Sequence, residues 1–181
     1  MHKIGIIGHS PEHFEYFSTP SANEVKSLLS NTIDLLRFQY GSFNSSCIER
    51  DKIVFNMVCE PGVGLWAAES AMAQGANYHL FLYFPFEMTS EDWLPEQNSL
   101  ANTCISNAHS MTICNMPGAT VCQNPYQKVV DDSNFTICYW IGKKQGKTFN
   151  AIDYALHNNK MVLDGLHDLK LLTYKDLERK A

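Results

Sequence analysis

Apolar runs and helix-compatible segments alternate along the whole chain. Lys3–Gly8, Lys52–Val58, His79–Phe84, Ser110–Cys114, Phe135–Trp140 and Lys160–Leu163 are short hydrophobic stretches bounded by turn residues, the pattern of β-strands. They are apolar almost throughout instead of alternating, as strands are when a parallel sheet is covered on both faces. Parallel strands need crossover segments, and the intervening sequence supplies them. Ser21-Ala-Asn-Glu24 is a capping box, after which Val25, Leu28, Leu29, Ile33 and Leu36 recur at three- and four-residue steps along one helical stripe. The pattern predicts a second, alanine-rich helix from Gly62 to about Gly75. It predicts a third from Thr148 to the Asn158-Asn159 stop. The expected fold is α/β: a Rossmann-like, doubly wound, mostly parallel sheet in a single domain over residues 1–181, with no internal repeat or Gly/Ser linker at which to divide it. Met88 to Ala108 is polar and predicts a lid-like excursion plus a helix. Leu171 to Ala181, with Thr173-Tyr-Lys-Asp176, predicts a short surface helix.

Composition narrows the function classes. Of 181 residues, 45% are hydrophobic and 18% charged, too apolar for a disordered chain. A net charge of -5 and a pI near 5.8 supply no broad cationic field, which disfavours nucleic acid as a partner. No apolar run approaches the ~20 residues needed to span a bilayer, and the N-terminus lacks a basic region followed by an apolar block. No membrane association and a cytoplasmic location are therefore expected. Six cysteines at positions 47, 59, 104, 114, 122 and 138 form no close C-x-x-C pair, and several sit in apolar runs as small core hydrophobes. The seven histidines are scattered. No structural metal is expected.

In an open parallel sheet, ligands bind beyond the carboxyl ends of the strands, where loops and helix N-termini present unpaired amides to anions. Three turns have suitable composition: Gly5-Ile-Ile-Gly8-His9-Ser10-Pro11, Glu60-Pro61-Gly62-Val63-Gly64 and Gly142-Lys143-Lys144-Gln145-Gly146-Lys147-Thr148. A glycine after a strand is often only a turn needing positive φ. Three such turns together favour a binding site. The third approaches a P-loop, but only three residues separate Gly142 from Gly146 where that pattern needs four. No second acidic strand end is clearly positioned for magnesium.

GIIGHSPEHF, EPGVGLWAAESA, FLYFPFE with a following Trp93, and FTICYWIGKKQGKTFNAIDYA together resemble the successive signatures of YpsA-like proteins of the SLOG superfamily, from about Lys3 to Leu163. That superfamily includes DprA-type DNA-processing proteins and the LONELY GUY phosphoribohydrolases. The resemblance implies a Rossmann-like sheet that binds nucleotides or their derivatives, commonly as a homodimer or higher oligomer. This chain departs from the pattern in ways that bear on chemistry. Gly64 stands where YpsA-like proteins usually carry Asp or Glu. The LONELY GUY arginine has no counterpart in Asn124-Pro-Tyr-Gln-Lys128, and if Thr148 takes that family's threonine position, its glutamate falls on Ala151.

Among the remaining candidates, Glu60 at a strand end is suited to hydrogen-bond a ribose hydroxyl. Glu69, seven residues after Gly62, is expected on a solvated helix face. Asp131 and Asp132 precede the fifth strand and suit a helix end, and Asp153 is expected to be exposed. His9, with an unperturbed pKa near neutrality, could donate to a phosphate or act as an acid. Trp66 could stack on a base or pack on the sheet; Trp93, in the polar excursion, is expected to touch ligand or a partner subunit. The expected ligand set is Gly8, His9, Ser10, Glu60, Gly62, Gly64, Trp66, Gly146, Lys147 and Thr148, around a nucleotide of unspecified identity and with no cofactor. The leading expectation is a sensor or sequestering protein. The rival is an N-glycosidase, phosphoribohydrolase or nucleoside-transferase-type enzyme, with Glu60 or Glu69 as its carboxylate. Single-stranded DNA binding conflicts with the acidic balance.

Overall fold

The computed structural model describes residues 2–15, 19–40, 53–73, 78–85, 92–114 and 124–179. Cys47, Cys122, Lys52, the expected Gln74–Gly75 helix end, residues 86–91 and the last two residues of the tail lie outside them. Strands β1 His2–Gly8, β2 Ile53–Val58, β3 Tyr78–Phe84, β4 Ser110–Ile113, β5 Phe135–Tyr139, β6 Met161–Asp164 and β7 Lys170–Leu171 form one sheet in the order β4-β3-β2-β1-β5-β6-β7. Every pairing is parallel except that of β7 with β6. Strand order reverses at β1, the topological switch point of a Rossmann-like, doubly wound fold. There Ile4 lies opposite Phe135 and Gly8 opposite Tyr139. The junction is tied at its start by Lys3, whose N–H donates at 2.8 Å to Asn134 Oδ1, 131 positions away.

Among the described residues, six α-helices complete the fold: α1 Ala22–Tyr40, α2 Val63–Ala73, α3 Pro95–Asn107, α4 Pro125–Asp131, α5 Lys147–His157 and α6 Tyr174–Arg179. The capping box at the start of α1 closes in both directions. Ser21 N–H donates to Glu24 Oε2 at 2.7 Å, and Glu24 N–H to Ser21 Oγ at 3.3 Å. The helical stripe then buries Val25, Leu29, Ile33 and Leu36, while Leu28 is half-buried. Successive strand residues point to opposite faces, so the inner strands feed two cores. Ile4, Ile6, Phe55 and Met57 pack with α1 and with Val63, Leu65 and Ala68 of α2. Ile7, Val58, Cys138 and Trp140 pack under Val129 and Val130 of α4 and Ala151 and Ile152 of α5. Burial of each large aliphatic side chain contributes about 1.5–3 kcal/mol, which is why both faces of these short strands are mostly apolar; the buried Asn56 donates to Asp132 O and Ser133 Oγ.

The structure adds features beyond those predicted. α4 begins at Asn124, whose side chain accepts Tyr126 N–H at 2.9 Å, with Pro125 in the first turn. A single 3-10 turn, Pro11–Phe14, follows β1, and β7 closes the sheet edge. Asp131 ends α4 and accepts from Tyr154; Asp132 caps it and accepts from Tyr83 at 2.8 Å and Lys128 at 2.7 Å. Thr173 and Asp176 form the expected box before α6. Cys59, Cys104, Cys114 and Cys138 are buried, and burial pushes the Cys104 thiol up to about 12. No described helix is long and apolar enough to cross a membrane.

Candidate functional site

Above the switch point, the segments following β1, β2 and β5 enclose a cavity of about 680 Å³, within the range of small-molecule sites. The β1 segment contributes Gly8, His9, Ser10, Pro11, Glu12 and His13; the β2 turn contributes Glu60 and Pro61. The β5 loop and the start of α5 contribute Lys143, Gln145, Gly146, Lys147 and Thr148. Trp93 and Gln97 stand at the start of α3, and Tyr126 at the start of α4.

Local sequence explains how these segments hold their shape. Gly62 has φ of 101°, and a Cβ there would lie 2.5 Å from the His9 carbonyl oxygen. That close approach lets Val63 N–H donate to the same oxygen at 3.2 Å and ties the β1 and β2 turns together. In the β5 loop, the Trp140 indole donates to Lys143 O at 2.8 Å, fixing the loop to a buried side chain. Gly146 then caps α5, whose first-turn N–H groups have no intrahelical acceptors and carry the positive end of the helix dipole.

Charge is paired across the cavity. Lys147 Nζ donates to both oxygens of Glu60, at 2.9 and 3.0 Å. Tyr126, buried and 8% exposed, donates its hydroxyl to Glu60 Oε2 at 3.1 Å. Burial and that carboxylate hold the Tyr126 phenol well above its usual range, so it remains a donor. Ser10 donates to Glu12, and this hydrogen bond lowers the carboxyl pKa of Glu12 against the opposing effect of its burial.

His9 departs from the expectation of a residue that protonates near neutrality. Only 5% exposed and packed edge-on to His13 at 4.9 Å, its imidazole is pushed down to about 4, first by desolvation and then by the His13 and Lys143 charges. It is neutral at pH 7, and its buried Nε2 has no hydrogen-bond partner. A neutral ring with one unpaired nitrogen can exchange a hydrogen bond with a ligand without bringing charge to it.

Thus Gly8, His9, Ser10, Glu60, Gly146, Lys147 and Thr148 meet around one cavity, with Trp93 on its wall. Gly62, Gly64 and Trp66 are not part of that lining. Trp66 is buried against Phe14, with ring centroids 5.9 Å apart, and Lys26 Nζ lies 5.4 Å from its ring centre. A Cβ on Gly64 would lie 2.0 Å from the Val58 carbonyl oxygen, so α2 presses directly on β2 and leaves no room for a carboxylate side chain. Glu69 is exposed, 4.0 Å from Lys26, and Asp153 accompanies His157 at 3.3 Å. Ala151 is 1% exposed in the α5 core. Tyr126, Gln97 and Glu12 join the site from outside the three expected turns, and Lys143 joins it from the third. For Tyr126 the available signal was the Asn124-Pro125 pair, an N-cap followed by a first-turn proline. Among the described residues, no group of three or more His, Cys, Asp or Glu side chains could hold a metal ion.

No family model matches this chain, and no curated protein matches it. Among solved structures, it is similar to an X-ray structure described as TM1055, a structural-genomics target, at 12% identity and a TM-score of 0.49. The similarity covers 90% of this chain and 72% of that one.

Proposed function

We propose that this protein binds a nucleotide or nucleotide-derived ligand and acts as a sensor or sequestering protein. The observation that carries the reading is the meeting, in one switch-point cavity, of the α5 N-terminal turn with the Glu60 carboxylate. The turn and Lys147 suit a phosphate group; the carboxylate suits a sugar hydroxyl. The neutral His9, whose buried Nε2 has no partner, adds a third polar group to the lining, and Trp93 an aromatic surface suited to a base. The resemblance to YpsA-like members of the SLOG superfamily supports the same ligand class and self-association of the chain.

The rival reading, hydrolysis or transfer at an N-glycosidic bond, draws on Glu60, whose carboxylate faces the cavity in a fixed orientation. Against it, Gly64 has no space for an acid, and Ala151 is buried in the core and does not line the cavity. The test is native mass spectrometry of freshly purified protein, followed by calorimetry with nucleoside monophosphates, NAD and ADP-ribose. Binding of at least one without release of free base is expected. Release of base at ordinary enzymatic rates overturns the sequestering role, and binding of none overturns the ligand class.

A further inference from the structure

We infer that Glu60, through its ion pair with Lys147, makes the cavity reject simple anions and admit phosphates attached to a hydroxyl-bearing sugar. The inference rests on the proposed reading of the cavity as a nucleotide-type site. Glu60 and Lys147 belong to opposite sides of the switch point, one after β2 and the other at the first residue of α5. Their contact, bidentate at 2.9 and 3.0 Å, occupies the same ammonium that a phosphate on the α5 turn needs. The two partners are not equally held. The Glu60 side chain is 17% exposed and anchored by Tyr126 at 3.1 Å, whereas the Lys147 side chain is 65% exposed. The lysine is therefore the partner that leaves.

The cost of its leaving depends on what the ligand brings. An arriving inorganic phosphate draws Lys147 away and faces a half-buried carboxylate that has lost its counter-charge and two of its three donated hydrogen bonds, so like charges oppose each other across the cavity. A sugar phosphate brings hydroxyl hydrogens to the same carboxylate oxygens. It exchanges donors while its phosphate takes the ammonium and the helix amides. Glu60 thus penalises the bare anion and rewards the sugar, with Tyr126 holding the carboxylate in register for either partner.

Calorimetry on the wild type and Glu60→Gln, with inorganic phosphate, ribose 5-phosphate and 2,3-dideoxyribose 5-phosphate as probes, tests this. The wild type is expected to bind ribose 5-phosphate at least tenfold more tightly than either other probe. Glu60→Gln is expected to bind inorganic phosphate at least threefold more tightly than the wild type does, and ribose 5-phosphate at least tenfold more weakly. Should Glu60→Gln fail to fold, the wild-type comparison of the ribose and dideoxyribose probes still decides, because equal affinities overturn the inference. Equal weakening of all probes by Glu60→Gln also overturns it, while leaving the site's proposed ligand class intact. Failure of the wild type to bind ribose 5-phosphate and every nucleotide tested overturns both.

Discussion

Tyr126 and Glu60 lie 66 positions apart in the chain and meet at the cavity, the phenol donating to the carboxylate at 3.1 Å from a largely buried ring. The contact joins the start of α4 to the end of β2, one helical layer to the strand beside the switch point. Removing the hydroxyl leaves a half-buried carboxylate oxygen short of a donor, and hydrogen bonds to charged groups contribute about 1.5–3 kcal/mol. Tyr126→Phe is expected to lower stability by about 1–2 kcal/mol in urea unfolding. It is also expected to weaken ribose 5-phosphate binding, because Glu60 loses its fixed orientation.

Acid sensitivity follows from His9. Its pKa is about 4 when folded, against 6.5 for the free side chain, so between those values the unfolded chain binds more protons than the folded one. The stability this burial permits is complete above about pH 6.5 and falls as pH drops toward 4. With allowance for solvent screening, the loss from this one group is about 2 kcal/mol. Urea unfolding between pH 7.5 and 4.5 is expected to show a shallower decline in His9→Asn than in the wild type. An identical decline in both would assign the acid sensitivity to other groups.

Gly64→Glu installs the acid that the resemblance to YpsA-like proteins would usually place at this position. The new Cβ would begin 2.0 Å from a strand carbonyl, which cannot swing aside as a flexible side chain can. Overpacking of this kind costs about 3 kcal/mol or more. A markedly lowered midpoint in thermal unfolding is expected, with no new glycosidic activity.

At Gly146 the constraint is the reverse: a Cβ meets nothing within 4 Å, but φ is 94°. Gly146→Val is expected to lower stability by about 1–2 kcal/mol through backbone strain. Its branched side chain at the mouth of the α5 turn should also block ligand approach. Calorimetry under conditions where the variant is fully folded should show phosphate-bearing ligands lost from the site.

Glu69→Gln serves as the contrasting variant. Its carboxylate is exposed and 4.0 Å from Lys26, so both ligand affinity and unfolding free energy should stay within about 0.5 kcal/mol of the wild type.

The parallel sheet was legible because its strands are apolar on both faces, and α1 because Ser21, Glu24 and the Val25–Leu36 stripe state both its start and its buried side. α4 was harder to see. It is seven residues long, too short for a periodic stripe, and only the Asn124-Pro125 cap marks it. The site was partly legible: glycine, Glu60, Lys147 and Thr148 stand where turns follow strands, and strand ends define the cleft. Burial was not. Nothing in the neighbourhood of His9 along the chain states that the start of α2 docks on its backbone, where Val63 N–H donates to His9 O, and nothing around Trp66 distinguishes a stacking platform from a ring seated on Phe14. Those outcomes depend on contacts between distant segments.

The pairing of β1 with β5 dictates an order of events during synthesis. The cavity stands over a seam that begins where Lys3 meets Asn134, 131 positions later, and the α5 N-terminal turn follows that seam in the chain. β1 can pair with β2 and receive α1 early, yet its other edge stays open until β5 has left the ribosome. Such long-range parallel pairing is slow, and an open apolar edge beside Ile4–Gly8 is where a nascent chain is most exposed to wrong partners. By linkage, the ligand proposed for the cavity would add stability to that seam in the folded chain.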